Sequence, residues 1–255
     1  MSVRTAVADG VGTLILDRPP LNILTRAVLA DFRARLAEMA ADGERGELRV
    51  LLLTAAGEHF SAGADVGEHL PPEFEEMIPE FLETIEAIAA FPLPVVAAVR
   101  GRCLGGGFEL VQAADVVVGG ASAVFGQPEI VLGVSPPAAC ALLPLLCPPM
   151  LAAEIVLTGD PITAERAREA GLLGRVVPDD RVEEEARALA GRMARHSAAA
   201  LRLTKRALLA GTAAARSSAL HEARRIYIEE LMQTTDATEG LQAFLEKRTP
   251  EWTGR

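Results

Sequence analysis

The sequence predicts an α/β domain followed by a helical C-terminal region. Three observations carry this: short apolar runs alternate with amphipathic stretches to about residue 134, three consecutive glycines stand where a strand gives way to a helix, and the remainder is largely helical in its periodicity. A chain of 255 residues is long enough for one large domain with a substantial core.

The elements follow in order. GTLILDRP (residues 12–19) and LRVLLLTA (48–55) are apolar runs with turn residues at their ends, the pattern of buried strands. Between them, TRAVLADFRARLAEMAADG places Val28, Phe32, Leu36 and Met39 on one face of a helix, with Gly43 expected as its stop. A second helix is expected over 73–90. FPLPVVAAVRG then turns through two prolines into a strand, which the glycines of GRCLGGGFELV follow directly. Residues 114–120 and 123–134 read as further strands. Beyond them, Val182, Ala186, Leu189 and Met193 repeat at helical spacing, and SSALHEARRIYIEELM and DATEGLQAFLEKR are also helical, with Asp236 and Glu239 as a capping pair for the last helix. With no low-complexity linker or repeat, the division is a core over 1–195 and a C-terminal helical region over 196–255.

Composition excludes several classes. There are 35 Asp and Glu against 25 Lys and Arg, a net charge of −10, which argues against nucleic acid as a partner. No uncharged apolar run is long enough to span a membrane, and the N-terminus lacks the pattern of a signal peptide. Cys103, Cys140 and Cys147 are odd in number and have no metal-ligand spacing, which suits a reducing cytoplasm. His59, His69, His196 and His221 are scattered, so surface or turn roles outweigh metal binding. Ser61 and Ser135 lack a G-x-S-x-G elbow, and CLGGGFEL has neither the G-x-G-x-x-G order nor a P-loop lysine. Lys205 and Arg206 read as a solvated helix face. For Tyr227 and Met232, core packing outweighs a role in covering a pocket.

The chemistry concentrates in three segments. Glycine costs backbone entropy, so the run Gly105–Gly107 implies that a bare backbone is useful there. At a strand-to-helix turn its N–H groups would face outward and hold an oxyanion, with Glu109 one turn further on. The alternative is a tight turn beside a buried, capped glutamate. HFSAGADVGEHL (59–70) is also rich in small residues and offers a second backbone donor, and FGQPEIVLG (125–133) supplies Glu129. One glutamate beside a polarised carbonyl can shuttle protons; two can add or remove water across an adjacent double bond.

HFSAGADV, GRCLGGGFELVQAADVVV and FGQPEIVLGV, in this order, together with AFLEKRTPEW, resemble the enoyl-CoA hydratase/isomerase (crotonase) family over nearly the whole chain. FGQPEIVLGVSPPAACALLP and YIEELMQTTDATEGLQAFLEKRTPEW further resemble its cyclic dienoyl-CoA (cyclohexadiene-carbonyl-CoA) hydratases. The resemblance implies a crotonase-like spiral of ββα units. It also implies an oxyanion hole from the N–H groups of Ala64 and Gly106, with Glu109 and Glu129 as the two catalytic carboxylates. Ala62, Asp65 and Val66 would line the adenine end of a bent coenzyme A, and Gly105, Pro128 and Val134 complete the implied substrate-binding set. Coenzyme A would enter as part of the acyl-CoA thioester substrate, with no separate cofactor and no metal. The family further implies a homotrimer or a dimer of trimers, with the C-terminal region serving as lid and oligomerisation surface.

Two departures stand out. The family's glycine-rich turn after the second glutamate, whose N–H also holds the catalytic water, is here PPAAC, and Pro136 and Pro137 have no N–H to give. Gly67 replaces a lysine that faces the coenzyme A phosphates in many relatives, leaving Arg18 or Lys247 to serve. A double-bond isomerase, a ring-opening acyl-CoA hydrolase and a non-catalytic RNA-binding relative are the alternatives. The glutamate pair favours hydration over the isomerase and the RNA-binding relative, the acidic charge also weighs against the latter, and the ring-opening hydrolase stays open.

Overall fold

In the computed structural model, which describes residues 2–255, six strands form one sheet and three short strands a second. The chain opens on a hairpin: β1 (Val3–Ala8) pairs antiparallel with β2 (Val11–Leu16) across Asp9 and Gly10, both at positive φ as a tight hairpin turn requires. Helix α1 (Arg26–Glu44) then crosses to β3 (Val50–Ala55), and α2 (Phe74–Ala89) to β4 (Val95–Val99). The short β5 (Arg102–Leu104) leads into α3 (Gly106–Gln112), β6 (Val116–Gly120) and β7 (Val124–Gly126). Next come α4 (Pro137–Leu146), α5 (Pro149–Thr158), β8 (Ile162–Thr163), α6 (Ala164–Glu169), β9 (Arg175–Val177) and α7 (Val182–Ala194). The C-terminal region contains α8 (Ala198–Leu209), α9 (Ala213–Arg225) running into a π turn (Ile226–Glu230), and α10 (Thr235–Glu246).

The large sheet has the order β1-β2-β3-β4-β6-β9 and is parallel from β2 onward, which is why a crossover connects each pair of neighbours. Both faces are covered. Leu51, Leu53, Val95, Ala97 and Val99 face the main core with Phe32, Leu36, Phe81 and Ile85 of α1 and α2. Val50, Leu52, Val96 and Ala98 face the other way, onto Val182, Ala186, Leu189 and Ala190 of α7. Alternate residues serve opposite layers, so these strands are apolar without interruption. The second sheet, β5-β7-β8, carries the strands that lead into Gly106 and into the turn of Glu129.

Several sequence expectations are corrected. Gly43 does not stop α1: it lies within the helix, where a Cβ would stand 2.7 Å from Leu93 Cδ1, and the chain reverses at Gly46, at φ +81°. The glycine run follows β5, not the strand of 95–99. Of residues 123–134 only β7 is extended, because Pro128 opens a 3-10 turn over Pro128–Leu132 that Gly133 closes at φ +71°. The last helix is capped by Thr234, whose side chain accepts from the Ala237 N–H. Asp236 instead accepts from the N–H groups of Thr253 and Gly254, while Glu239 pairs with Arg248. This holds the C-terminal segment against the Glu129 turn: a Cβ on Gly133 would stand 3.0 Å from the Trp252 ring.

Lys205 is not solvated. It is buried, its ammonium 2.7 Å from Asp115 Oδ2 and donating to the Leu93 carbonyl at 3.1 Å, whereas Arg206 is exposed as expected. Asp115 also accepts from the Val95 N–H at 2.7 Å, so the pair ties α8 to the start of β4. Only the lysine end of the pair is buried; Asp115 reaches solvent, which screens its charge when the lysine is removed, so the loss is about 1–2 kcal/mol. Lys205→Ala is therefore expected to lower the unfolding free energy by about 1–2 kcal/mol in urea titrations, and the double change Lys205→Met, Asp115→Asn to recover much of that loss.

Candidate active site

The site begins with a strapped loop. After β3 the chain runs through residues 56–66, and Ser61 bridges in parallel to Cys103 of β5: the Ser61 N–H donates to Arg102 O at 3.1 Å and the Leu104 N–H to Ser61 O at 3.0 Å. The Ser61 hydroxyl is buried and occupied, donating to Asn22 O at 2.9 Å and accepting from the Gly63 N–H at 3.1 Å. Asn22 clamps the loop from below. It is buried at φ +49°, and its amide donates to Ala56 O at 2.9 Å and His59 O at 2.8 Å while accepting from the Arg18 N–H. Its only trace in the sequence is a lone asparagine in PPLNIL, a residue type that tolerates positive φ, so Asn22 does not stand out there as a site residue.

The strapping orients two backbone donors. Leu24 bonds to Gly63 O at 3.0 Å and receives the Asp65 N–H at 3.1 Å, so the intervening Ala64 N–H faces away from that bridge. Among the described residues, the N–H groups of Ala64 and Gly106 make no hydrogen bond. They are close together: a Cβ on Gly106 would stand 3.4 Å from Ala64 N and 3.1 Å from the Phe81 ring. The neighbouring glycines have their own reasons. Gly105 takes φ +51°, and a Cβ there would stand 2.5 Å from Glu129 Oε1; one on Gly107 would stand 2.6 Å from Ser61 Cβ.

Both glutamates converge on this point. Glu109 is 2% exposed, and its Oε1 accepts from the Ala139 N–H of α4 at 2.9 Å. Burial pushes its carboxyl up to about 7, against the pull of the Ala139 and Ala138 N–H groups. Glu129 lies on the 3-10 turn, its Oε2 buried with no partner among the described residues. Burial, and then the charge of Glu109, push it well above the usual carboxylate range. Each therefore binds its proton more tightly than an exposed carboxyl does, and the charge of Glu109 links the two titrations.

The other expected site residues lie around this centre. Val134 is buried and its N–H donates to Glu129 O at 3.2 Å; Pro128 opens the turn that carries Glu129. Asp65 Oδ1 accepts from the Gly67 N–H at 2.9 Å, Val66 packs on the main core, and the Ala62 N–H is engaged by Leu21 O. Pro137 is the first residue of α4, so the first N–H groups that helix offers are those of Ala138 and Ala139, both turned to Glu109. Arg18 rests on the Thr25 hydroxyl at 3.3 Å, and Lys247 is exposed at the end of α10. Among the described residues no cluster of His, Cys, Asp or Glu could hold a metal ion, and no helix is long and apolar enough to cross a membrane.

The parallel-rich sheet, its helices and the enclosed carboxyl pair define an α/β enzyme with the crotonase fold. A solved enoyl-CoA hydratase from Mycobacterium avium subsp. paratuberculosis superposes with a TM-score of 0.88 at 30% identity, covering 99% of each chain. The model of the enoyl-CoA hydratase/isomerase family matches residues 6–255, and the chain belongs to that family. It is similar to a cyclohexa-1,5-dienecarbonyl-CoA hydratase of Thauera aromatica, 37% identical over 95% of this chain and 92% of the relative. A 2,3-dehydroadipyl-CoA hydratase of Escherichia coli is 38% identical over 95% and 94%.

The clamp yields a stability prediction. Asn22→Ala strands the carbonyls of Ala56 and His59, and an unpaired buried polar group costs about 1–3 kcal/mol. The variant is expected to unfold about 2–3 kcal/mol more easily in denaturant titrations.

Proposed function

We propose that this protein adds water across the double bond of an α,β-unsaturated acyl-CoA thioester, with a cyclic dienoyl-CoA as its preferred substrate. The observation that carries the reading is the juxtaposition of two buried carboxyls of raised pKa with two unpaired backbone N–H groups. The thioester carbonyl lies between the N–H groups of Ala64 and Gly106. Water is held by Glu109 and Glu129; its oxygen bonds to the β-carbon as one carboxylate takes its proton, and negative charge moves to the thioester oxygen. Fixed donors stabilise such an oxyanion by about 3–4 kcal/mol each. The other carboxyl then delivers a proton to the α-carbon. An isomerase needs only one such group, so the enclosed pair supports hydration.

The relatives' names include both a cyclic and a linear acyl group, so the preference for a ring rests on Pro136 and Pro137. They stiffen the pocket wall at the start of α4, which leaves a small linear chain loosely held, while a rigid ring fixes its own double bond against the glutamates. Coenzyme A enters with the substrate and no further cofactor is required. The free thiols of Cys103, Cys140 and Cys147 suit a reducing cytoplasm. Residues 196–255 act as lid and as the contact surface of a trimer or paired trimers.

The test follows loss of the enoyl-thioester absorbance on cyclohexadiene-carbonyl-CoA beside crotonyl-CoA. kcat/KM is expected to favour the ring by about tenfold, or about 1.4 kcal/mol; equal values would return the chain to linear substrates. Glu109→Gln and Glu129→Gln are each expected to cut hydration by about 100-fold, the usual contribution of a general acid or base, and near-native rates in both would sink the two-glutamate mechanism. The pH profile follows from the raised pKa values. A carboxyl titrating near 7 is protonated below that pH and has no capacity to accept a proton, so kcat/KM is expected to fall as pH drops through about 7. A rate that stays flat down to pH 5 would contradict this.

A further inference from the structure

Hydration needs a water held in one orientation, and the two carboxyls alone do not fix it. Helix α4 contributes nothing further: Pro137 has no N–H, and the Ala138 and Ala139 N–H groups serve Glu109. Another group therefore has to complete the water's coordination.

The candidate is the fully buried phenol of Tyr227, whose hydroxyl, like Glu129 Oε2, has no hydrogen-bond partner among the described residues. Its ring centroid is 6.5 Å from that of His69, whose Nδ1 lies 2.8 Å from the carbonyl of Asp65 in the loop that carries Ala64. The ring is presented by the π turn Ile226–Glu230, in which Ile226 stays 43% exposed while Tyr227 points inward. This turn continues α9, which packs along α4. Glu129 and Glu109 both lie near enough for their charges to add to burial in raising the Tyr227 phenol, so it keeps its proton as they exchange theirs.

We propose that the Tyr227 hydroxyl donates a hydrogen bond to the water held by Glu109 and Glu129 and so completes the water site from the C-terminal region. The inference rests on the hydration mechanism above. A buried water needs two to four polar partners, and in this arrangement the phenol and the two carboxyls, which act on one another electrostatically, would supply three. The water's hydrogens point to the carboxyls, one lone pair accepts from Tyr227, and the other attacks the β-carbon. The O–H bond to the base breaks as the C–O bond forms, and the phenol gives up nothing.

The test compares two reactions of Tyr227→Phe. Hydration of crotonyl-CoA and cyclohexadiene-carbonyl-CoA needs the water; exchange of the α-protons of butyryl-CoA in D2O, followed by NMR, needs the oxyanion donors and a base but no water at the β-carbon. The expected result is a fall in hydration kcat of tenfold or more with KM within twofold, α-proton exchange within twofold of the unmodified protein, and a Tm equal or higher, because the hydroxyl has no partner among the described residues. Unchanged hydration overturns the proposal, and so does an equal fall in both reactions or a lowered Tm, which marks a packing role. Glu109→Gln and Glu129→Gln are assayed in parallel. Full hydration in both removes the two-glutamate mechanism itself, whereas their loss beside an active Tyr227→Phe removes only the role of the tyrosine.

Discussion

Burying two carboxyl groups beside each other is the constraint from which the rest of the site follows. Each loses hydration, and each opposes ionisation of the other, so the arrangement persists only where the fold supplies compensation. Glu109 receives it from the N–H groups at the start of α4. Glu129 receives less: its Oε1 lies over the bare backbone of Gly105, and its Oε2 has no partner among the described residues. That asymmetry leaves the second carboxyl the more strongly disposed to hold a proton.

The donors beside them are backbone, and this dictates the loop architecture. A peptide N–H cannot be re-aimed by a rotamer, so its direction is set by the strands and bridges on either side. The Ser61–Cys103 bridge and the Asn22 clamp hold the loop of Ala64 against β5, and the missing side chains of Gly105, Gly106 and Gly107 allow it to come that close. Rigidity here comes from short hydrogen bonds within secondary structure, at a place where larger side chains would have forced the two segments apart.

What the sequence revealed and what it concealed divide along physical lines. The face of Val28, Phe32, Leu36 and Met39, the alternation of strands with helices, and the glycines beside Glu109 were legible because each depends on periodicity or on the backbone freedom of one residue type. Glu129 was legible for the same reason, from a proline and a glycine framing a carboxylate. Asn22 was not: its contacts reach residues more than thirty positions away, and no local pattern records them. Lys205 reads as surface by composition, since only the fold brings Asp115 and the Leu93 carbonyl to its ammonium. The end of the strand at Gly126 and the capping by Thr234 were missed where turn chemistry competed with an apolar run or an acidic pair.

The support behind Glu129 comes from a distant part of the chain. Gly133, at the end of the Glu129 turn, is closed over by the Asp236 carbonyl and the Trp252 ring, and Asp236 anchors the segment that carries that ring. During synthesis the turn leaves the ribosome long before the residues that brace it. A nascent chain can thus assemble its large sheet while the Glu129 turn still lacks its outer brace. Folding of the scaffold and maturation of the site become separate events in time, and the second waits on translation of the far end.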